Sequence, residues 1–470
     1  MNLKRKLWWA QHRTDVYKYG TILSLVLIVT ISIIYFTYSK FTSTNEGLVM
    51  ETIVEPFIKN DYFIASYIDG EWSNEIPGKD DGYGVDKIVC DNGATAAWDD
   101  EEWGINIRNA TQKIKCSVYF KKVIKFELLG KTIISSEVAN DDPDNNIRYI
   151  GADPKNYIYF NCSDYSNQSD STCEKWRIIG VFKNVTKSDG TKEDLVKIVK
   201  DERLNNINIS WDYKKNGVGT STLDYGSNDW TDSQLMMMLN PIDYLKPGYT
   251  IDNNIVKDSK GQAIYQNMGS YYNGTSGCKP AAVASGTDFT CTSIDFTSTG
   301  LKNDSTRKAI ESVVWNLGGT ASYTSSSNGL ASHWYGYERG TTVYSGHATT
   351  WTGKVGLMYT SDYGYATSGN STTDRATCLA KEIYNWDRAS ASDCYNNDYL
   401  YKSSYYQWTL TPDSSDAHFV FYVFTGGCVY GYYAVNAYSS VRPAIFLKSN
   451  ISITDVGIGT AESPFQLKVG

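Results

Sequence analysis

Histidine is scarce, with four in 470 residues, and none sits at a spacing that would hold a metal ion. No HExxH, GxSxG or Walker-type phosphate loop occurs, and no two cysteines form a CxxC. These absences set aside the metalloprotease, serine-hydrolase, nucleotide-hydrolase, zinc-finger and thioredoxin-like classes. An excess of positive charge is also missing. Lys and Arg number 44 against 52 Asp and Glu, a formal net charge of −8. A nucleic-acid binder would present a basic face, so nucleic acid is not an expected partner. Only one long hydrophobic run is present, near the N-terminus.

Aromatic residues are abundant instead, at 14% with 37 Tyr and 13 Trp. Tyrosine at this density suits binding surfaces, where a rigid ring gives contact area at low entropic cost. With 41% hydrophobic and 20% charged residues, the chain can bury cores and has the length for two or three domains. Eight of the nine cysteines fall into sequence-near couples: Cys90 with Cys116, Cys162 with Cys173, Cys278 with Cys291, and Cys378 with Cys394. Couples joined by polar loops read as disulfides, assigned on proximity alone, and disulfides persist outside the cytosol. Cys428 is left over.

Residues 20–38 carry no charge and are long enough to cross a bilayer as one helix. Lys4, Arg5, Lys6, Arg13 and Lys18 precede them, opposed only by Asp15. The positive-inside rule then makes residues 1–19 a cytoplasmic tail and places the bulk of the chain outside a cell membrane crossed once. A cleaved signal peptide fits less well, because the apolar run exceeds an h-region and no A-x-A site follows it.

The segment 46–130 reads as short strands with turn punctuation, and the order Cys90, Trp98, Trp103, Cys116 suggests a small, disulfide-stapled, sandwich-like stalk. Its acidic run, Asp99 to Glu102, reads as a solvated turn rather than a cation site. Residues 138–146 (VANDDPDNN) read as a linker. They lack the glycine and closing glutamate of a calcium loop. From 147 to 470 the pattern predicts an α+β domain with an irregular antiparallel sheet and two to three helices. Strands are expected at 156–160, 176–182 and 194–199. Helices are expected after Asp232 and Ser233, after Asp304 or Ser305 with an apolar face running to Leu317, and after Asp374.

For catalysis, His333 and His347 are the available bases, with Asp362 or Glu338 as orienting groups, though a structural or ligand-contacting role for both histidines is the stronger reading. GHATTWTGK at 346–354 imitates a phosphate loop with the wrong spacing.

The C-terminal stretch is the most informative. HFVFYVF, TGG and CVYGYYAV predict a hairpin, and VRPAIFLK a final strand in which Pro443 suits an edge or a bulge. Between His418 and Tyr438, ten residues are Phe, Tyr, His or Cys, more bulk than one hairpin can bury on both faces. The aromatic candidates for ligand contact are therefore Phe419, Phe421, Tyr422, Phe424, Tyr430, Tyr432, Tyr433 and Tyr438. Asp416, His418 and Asn436 are the polar ones. Because strand residues alternate between faces, either 419, 421 and 423 pack inward, leaving Tyr422 and Phe424 outward, or the reverse.

WRIIGVF at 176–182, DWTDSQLMMMLNP at 229–241, SVRPAIFLKSNISIT at 440–454 and GIGTAESPFQL at 457–467 resemble a bacterial surface-domain family of unassigned function. That family is similar to the C-type lectin fold and its formylglycine-generating-enzyme branch. The resemblance spans about 147–470 and implies a lectin-like head that binds an extracellular protein or glycan. It does not extend to the catalytic cysteines of the enzyme branch. Residues 413–440 contain no Lys, Glu, Gln, Trp or Met. The segment is in this respect similar to the hypervariable region of diversity-generating-retroelement proteins, whose mutated asparagine codons never yield those five. No cofactor is expected; the Asn/Asp-rich loops leave room for calcium, but no calcium motif of the family, such as a Glu-Pro-Asn triplet, is present. The alternatives to a binding protein are an extracellular enzyme of the formylglycine-generating type and a non-binding structural surface component.

Overall fold

The computed structural model describes residues 62–109, 113–212, 226–240, 304–435 and 438–469, with gaps at 69 and 207. Short pieces of the N-terminal tail and of 248–294 are also described. It is a mixed α+β protein, mostly strands with few and short helices. The chain divides into two compact units, Met1–Val123 and Ile124–Gly470.

In the first unit, four strands form a sheet in the order β2 (Glu71–Ser73), β1 (Tyr62–Ile68), β6 (Ile114–Lys122), β3 (Tyr83–Cys90). The β1–β6 pair is parallel and the others antiparallel. Strand β6 alternates strictly: Ile114, Cys116, Val118 and Phe120 are buried, whereas the residues between them face outward. A separate hairpin, β4 (Thr95–Asp99) and β5 (Gly104–Arg108), adds Ile105 and Ile107 to the same core. Trp98 and Trp103 meet edge to face at 5.2 Å and both pack on Phe120. Cys90 and Cys116 lie opposite one another across β3 and β6 and are bonded. In the acidic run, Asp99 accepts the backbone N–H of Glu101 and Glu102, as a turn residue does.

The second unit begins with a hairpin, β7 (Ile124–Leu128) and β8 (Lys131–Ser135), whose Phe126 and Leu128 belong to the large core. Its main sheet runs Val355–Leu357, Pro443–Leu447, β13 (Lys192–Lys200), β12 (Glu174–Thr186), β10 (Ile147–Tyr149), β9 (Val138–Ala139), with β11 (Tyr157–Phe160) also on β12. A second sheet runs Val429–Tyr433, Phe419–Val423, Tyr406–Pro412, Ser439–Ser440. Fully buried Arg442 donates to the carbonyls of Lys200 and Leu400 and to Gln407 Oε1, linking β13 to the Tyr406–Pro412 strand.

Several expectations need correction. The boundary falls at 123/124, inside the segment 46–130 read as a stalk. Residues 138–146, read as a linker, are built into the second unit: Val138 pairs with Tyr149, and Asp142 and Asn146 are buried. Their acidity has an internal use. Asp142 Oδ2 lies 2.6 Å from Arg148 Nε, Arg148 Nη1 lies 2.8 Å from Asp362, and Lys197 Nζ lies 2.5 Å from the other Asp362 oxygen. The helix expected from Asp304 to Leu317 stops at Ala309, and Val313–Asn316 is a strand, as its β-branched and aromatic residues prefer. Pro443 lies on neither an edge nor a bulge. It is the first residue of a central strand, a position that proline tolerates. Of the span 20–38, only residues 20–24, 26 and 28 are described, all helical. No helix among the described residues is long and apolar enough to cross a membrane.

Candidate ligand-binding surface

The C-terminal hairpin forms as its sequence demands. Phe419–Val423 and Val429–Tyr433 pair antiparallel, with Tyr422 opposite Tyr430, Phe421 opposite Gly431 and Phe419 opposite Tyr433. Gly427 has φ +92°, and a Cβ there would meet the Tyr395 ring at 2.3 Å, so the turn needs glycine on both counts. Tyr363 Oη donates to the Gly427 carbonyl at 2.6 Å, and Tyr401 Oη to that of Thr425. The turn is thus held from the core side.

Alternation decides the two faces only in part. Phe421 and Val423 point inward and have no exposure. Phe421 packs edge to face on Trp334 and Tyr323 at 4.7 and 4.8 Å. Phe421 is therefore a core residue and is withdrawn as a ligand contact. The opposite face carries Tyr422, Phe424, Tyr430 and Tyr432 together with Tyr406 of the neighbouring strand. Tyr406 stacks on Phe424 at 5.0 Å, Phe424 meets Tyr430 at 5.7 Å, and Tyr422 meets Tyr432 at 6.3 Å. Tyr422 is only 8% exposed, because Tyr406, Trp408 and Tyr432 cover it. It supports this ring cluster from beneath. Tyr432 is 42% exposed and Tyr438 68%, and these present the most accessible rings. Phe424 and Tyr430 are half-buried, and Tyr430 Oη lies 3.2 Å from the Asp387 carboxylate. Phe419 and Tyr433, half-buried, pack on each other at 4.5 Å on the other face.

The polar candidates serve the scaffold. Asp416 Oδ1 accepts the His418 N–H at 2.7 Å, and His418 Nδ1 bonds the Gly226 carbonyl. Asn436 lies outside the described residues. A residue that sequence reading missed holds the whole approach to the hairpin. Buried Asn228 Nδ2 lies 2.7–2.8 Å from the carbonyls of Asp413, Asp416 and Phe419, so its two hydrogens are shared among three acceptors. Nothing in its sequence neighbourhood, SNDW, reveals partners nearly two hundred residues away. Asp387 and Tyr406 were likewise missed, since both lie outside the 416–438 hairpin.

Among the described residues three disulfides are present, Cys90–Cys116, Cys162–Cys173 and Cys378–Cys394, whereas Cys291 of the fourth couple falls outside the described residues. Cys428 is free and buried, and burial pushes its thiol up to about 12. Cys428 is therefore expected to resist a thiol reagent at pH 8 in the native protein and to react only on unfolding, as peptide mapping of the labelled site would show. Rapid reaction in the folded state would show the hairpin to be open.

The histidines do not join the acids considered with them. His333 Nδ1 accepts the Leu330 N–H at 3.3 Å at the start of the Ala331–Arg339 helix, and His347 lies against Tyr344. Asp362 is taken up by Arg148 and Lys197, and Glu338 by Ser361 and Thr411. The GHATTWTGK stretch leads directly into the strand Thr350–Gly353 and forms no phosphate cradle. No group of three or more metal-ligating side chains occurs among the described residues. No protein-family model, no curated protein and no solved structure matches this chain.

Proposed function

We propose that this chain is a membrane-anchored, outward-facing binding protein whose C-terminal aromatic surface holds an extracellular glycan or protein. The observation that carries the reading is the cluster of Tyr406, Tyr422, Phe424, Tyr430 and Tyr432. These rings pack on one another, so the exposed members are preorganised and lose little freedom when a ligand stacks on them. Three disulfides suit an oxidising exterior. The charge-free stretch 20–38 with its basic flank supplies the anchor. The α+β architecture with a terminal aromatic hairpin is compatible with the lectin-like resemblance. The lack of exposure at Phe421 and Cys428 argues for a fixed surface, because random substitution there would open cavities or bury polar groups.

Glycan and surface-protein arrays probed with the full chain in detergent should identify ligands. Tyr432→Ala combined with Tyr438→Ala should then weaken binding by about 30-fold, the effect of a loss near 2 kcal/mol. Unchanged affinity in a folded double variant would remove the hairpin as the binding surface.

A further inference from the structure

The outward face of the four-stranded sheet in the first unit carries a second aromatic cluster, distinct in chemistry from the hairpin. Register places Trp72, Tyr67, Tyr119 and Lys87 in one row across β2, β1, β6 and β3. Ala65, Ser117 and Val89 make the next row, and Phe63 and Lys115 the row beyond. Trp72 lies 5.1 Å from Tyr67 and 5.8 Å from Tyr119. Trp72, Val89 and Phe63 are 57%, 52% and 48% exposed, a concentration of apolar surface that a soluble face avoids.

Two ammonium groups lie over these rings. Lys87 Nζ is 4.4 Å from the Tyr119 centroid, and Lys115 Nζ is 5.7 Å from Phe63 and 5.9 Å from Trp72. Among the described residues neither lysine forms an ion pair with a carboxylate. The other lysine of this face, Lys121, is neutralised by Asp86 at 2.7 Å. In a chain of net charge −8, a patch that keeps two unneutralised cations beside exposed aromatics is complementary to a negatively charged partner.

We propose that this sheet face rests on the anionic surface of the membrane that anchors the chain. Two observations select a bilayer over an anionic glycan. Exposed Trp and Phe with lysine ammonium groups over the rings is the chemistry of an interfacial residue set, with the apolar body inserted and the charge at headgroup level. The second is continuity: residues 39–61 alone separate the charge-free stretch from β1, a chain that reaches at most about 80 Å. Tethering keeps the local lipid concentration high, so a weak surface contact is enough. The inference rests on the membrane-anchor reading.

Lysine footprinting of the full chain tests it. The protein is reconstituted into vesicles of phosphatidylcholine with 30 mol% phosphatidylglycerol and acetylated with a membrane-impermeant ester. Exposed Lys192 in the second unit serves as the internal standard. Lys87 and Lys115 should be modified at least five-fold more slowly, relative to Lys192, than in detergent or in pure phosphatidylcholine. Radical oxidation of Phe63 and Trp72 should fall in parallel. In K87E/K115E, whose substitutions are exposed and leave the core intact, that oxidation should return to the detergent level. Equal labelling in all three environments would overturn the proposal. So would protection by soluble polygalacturonate in place of vesicles, which would reassign the face to an anionic polymer. Flotation after an alkaline carbonate wash reports the anchor separately. A chain that floats without protection refutes the face alone, and one that fails to float refutes the anchor.

Discussion

Asp362→Ala is expected to cost the second unit about 3–5 kcal/mol, because it leaves two cations buried with one anion between them. Lys197 and Arg148 have no more than 1% exposure, and Asp362 bonds both, one with each oxygen. The same carboxylate accepts the Tyr359 N–H at 2.9 Å and so also caps the Thr360–Ala366 helix. Lys197 is surrounded by rings, with Tyr359 at 4.3 Å and Trp315 at 5.2 Å, which favour its charge without neutralising it. Burial pushes the Asp362 carboxyl up, but the Lys197 and Arg148 charges outweigh this and hold it well below the usual carboxylate range. Its contribution is accordingly complete above its unfolded value of 3.8 and is lost as the pH falls through the folded value. Urea unfolding followed by tryptophan emission at pH 7 measures the cost. Replacing both partners, as in D362L/K197M, should recover most of the stability, since no orphaned ammonium then remains. A single-variant loss below about 1 kcal/mol would contradict the assignment, as would a double variant no better than the single.

This ion network also shows where a sequence stops being readable. Asp142, Arg148, Lys197 and Asp362 are spread over more than two hundred positions, and nothing local to any of them distinguishes it from a solvated charge. Local signals, by contrast, were legible. Ser233 caps Gln234–Leu239 by accepting the Met236 N–H, and Asp374 caps Arg375–Leu379 through Thr377. WRIIGVF lies within β12, and DLVKIV within β13, because β-branched residues buried on both faces suit a central strand. The TGG turn alone predicts the hairpin. Which rings it exposes depends on Trp334 and Tyr323 covering one side and on Tyr406 and Trp408 covering the other. The Asp-rich stretch 138–146 was misread for the same reason: polar residues that satisfy one another inside a fold have the composition of a linker.

Glu338 gives the second large effect, with the opposite pH sign. It has no exposure, on the Ala331–Arg339 helix, and accepts the Ser361 N–H and the Thr411 hydroxyl, each at 2.9 Å, as well as the Ser361 hydroxyl. Burial pushes its carboxyl up to about 7 from 4.5, despite the Arg339 charge 3.7 Å away and the Ser361 hydrogen bonds, which all favour ionisation. Between those values the folded state holds a proton that the unfolded state has released. Stability therefore falls as the pH rises from 4.5 to 7, by up to about 3 kcal/mol from this group alone. Glu338→Gln should remove that slope. A glutamine amide can donate to the Ser361 hydroxyl while its oxygen accepts the Ser361 N–H and the Thr411 hydroxyl, and it carries no charge at any pH. Urea unfolding of the two proteins across pH 4.5 to 8 measures the difference. The curves should coincide near pH 4.5 and separate toward neutrality with the variant the more stable, while Asp398 and every other titrating group cancel in the subtraction. Parallel curves, or a variant weaker by the same margin at every pH, would mean that Glu338 is ionised throughout and that its three hydrogen bonds outweigh its burial.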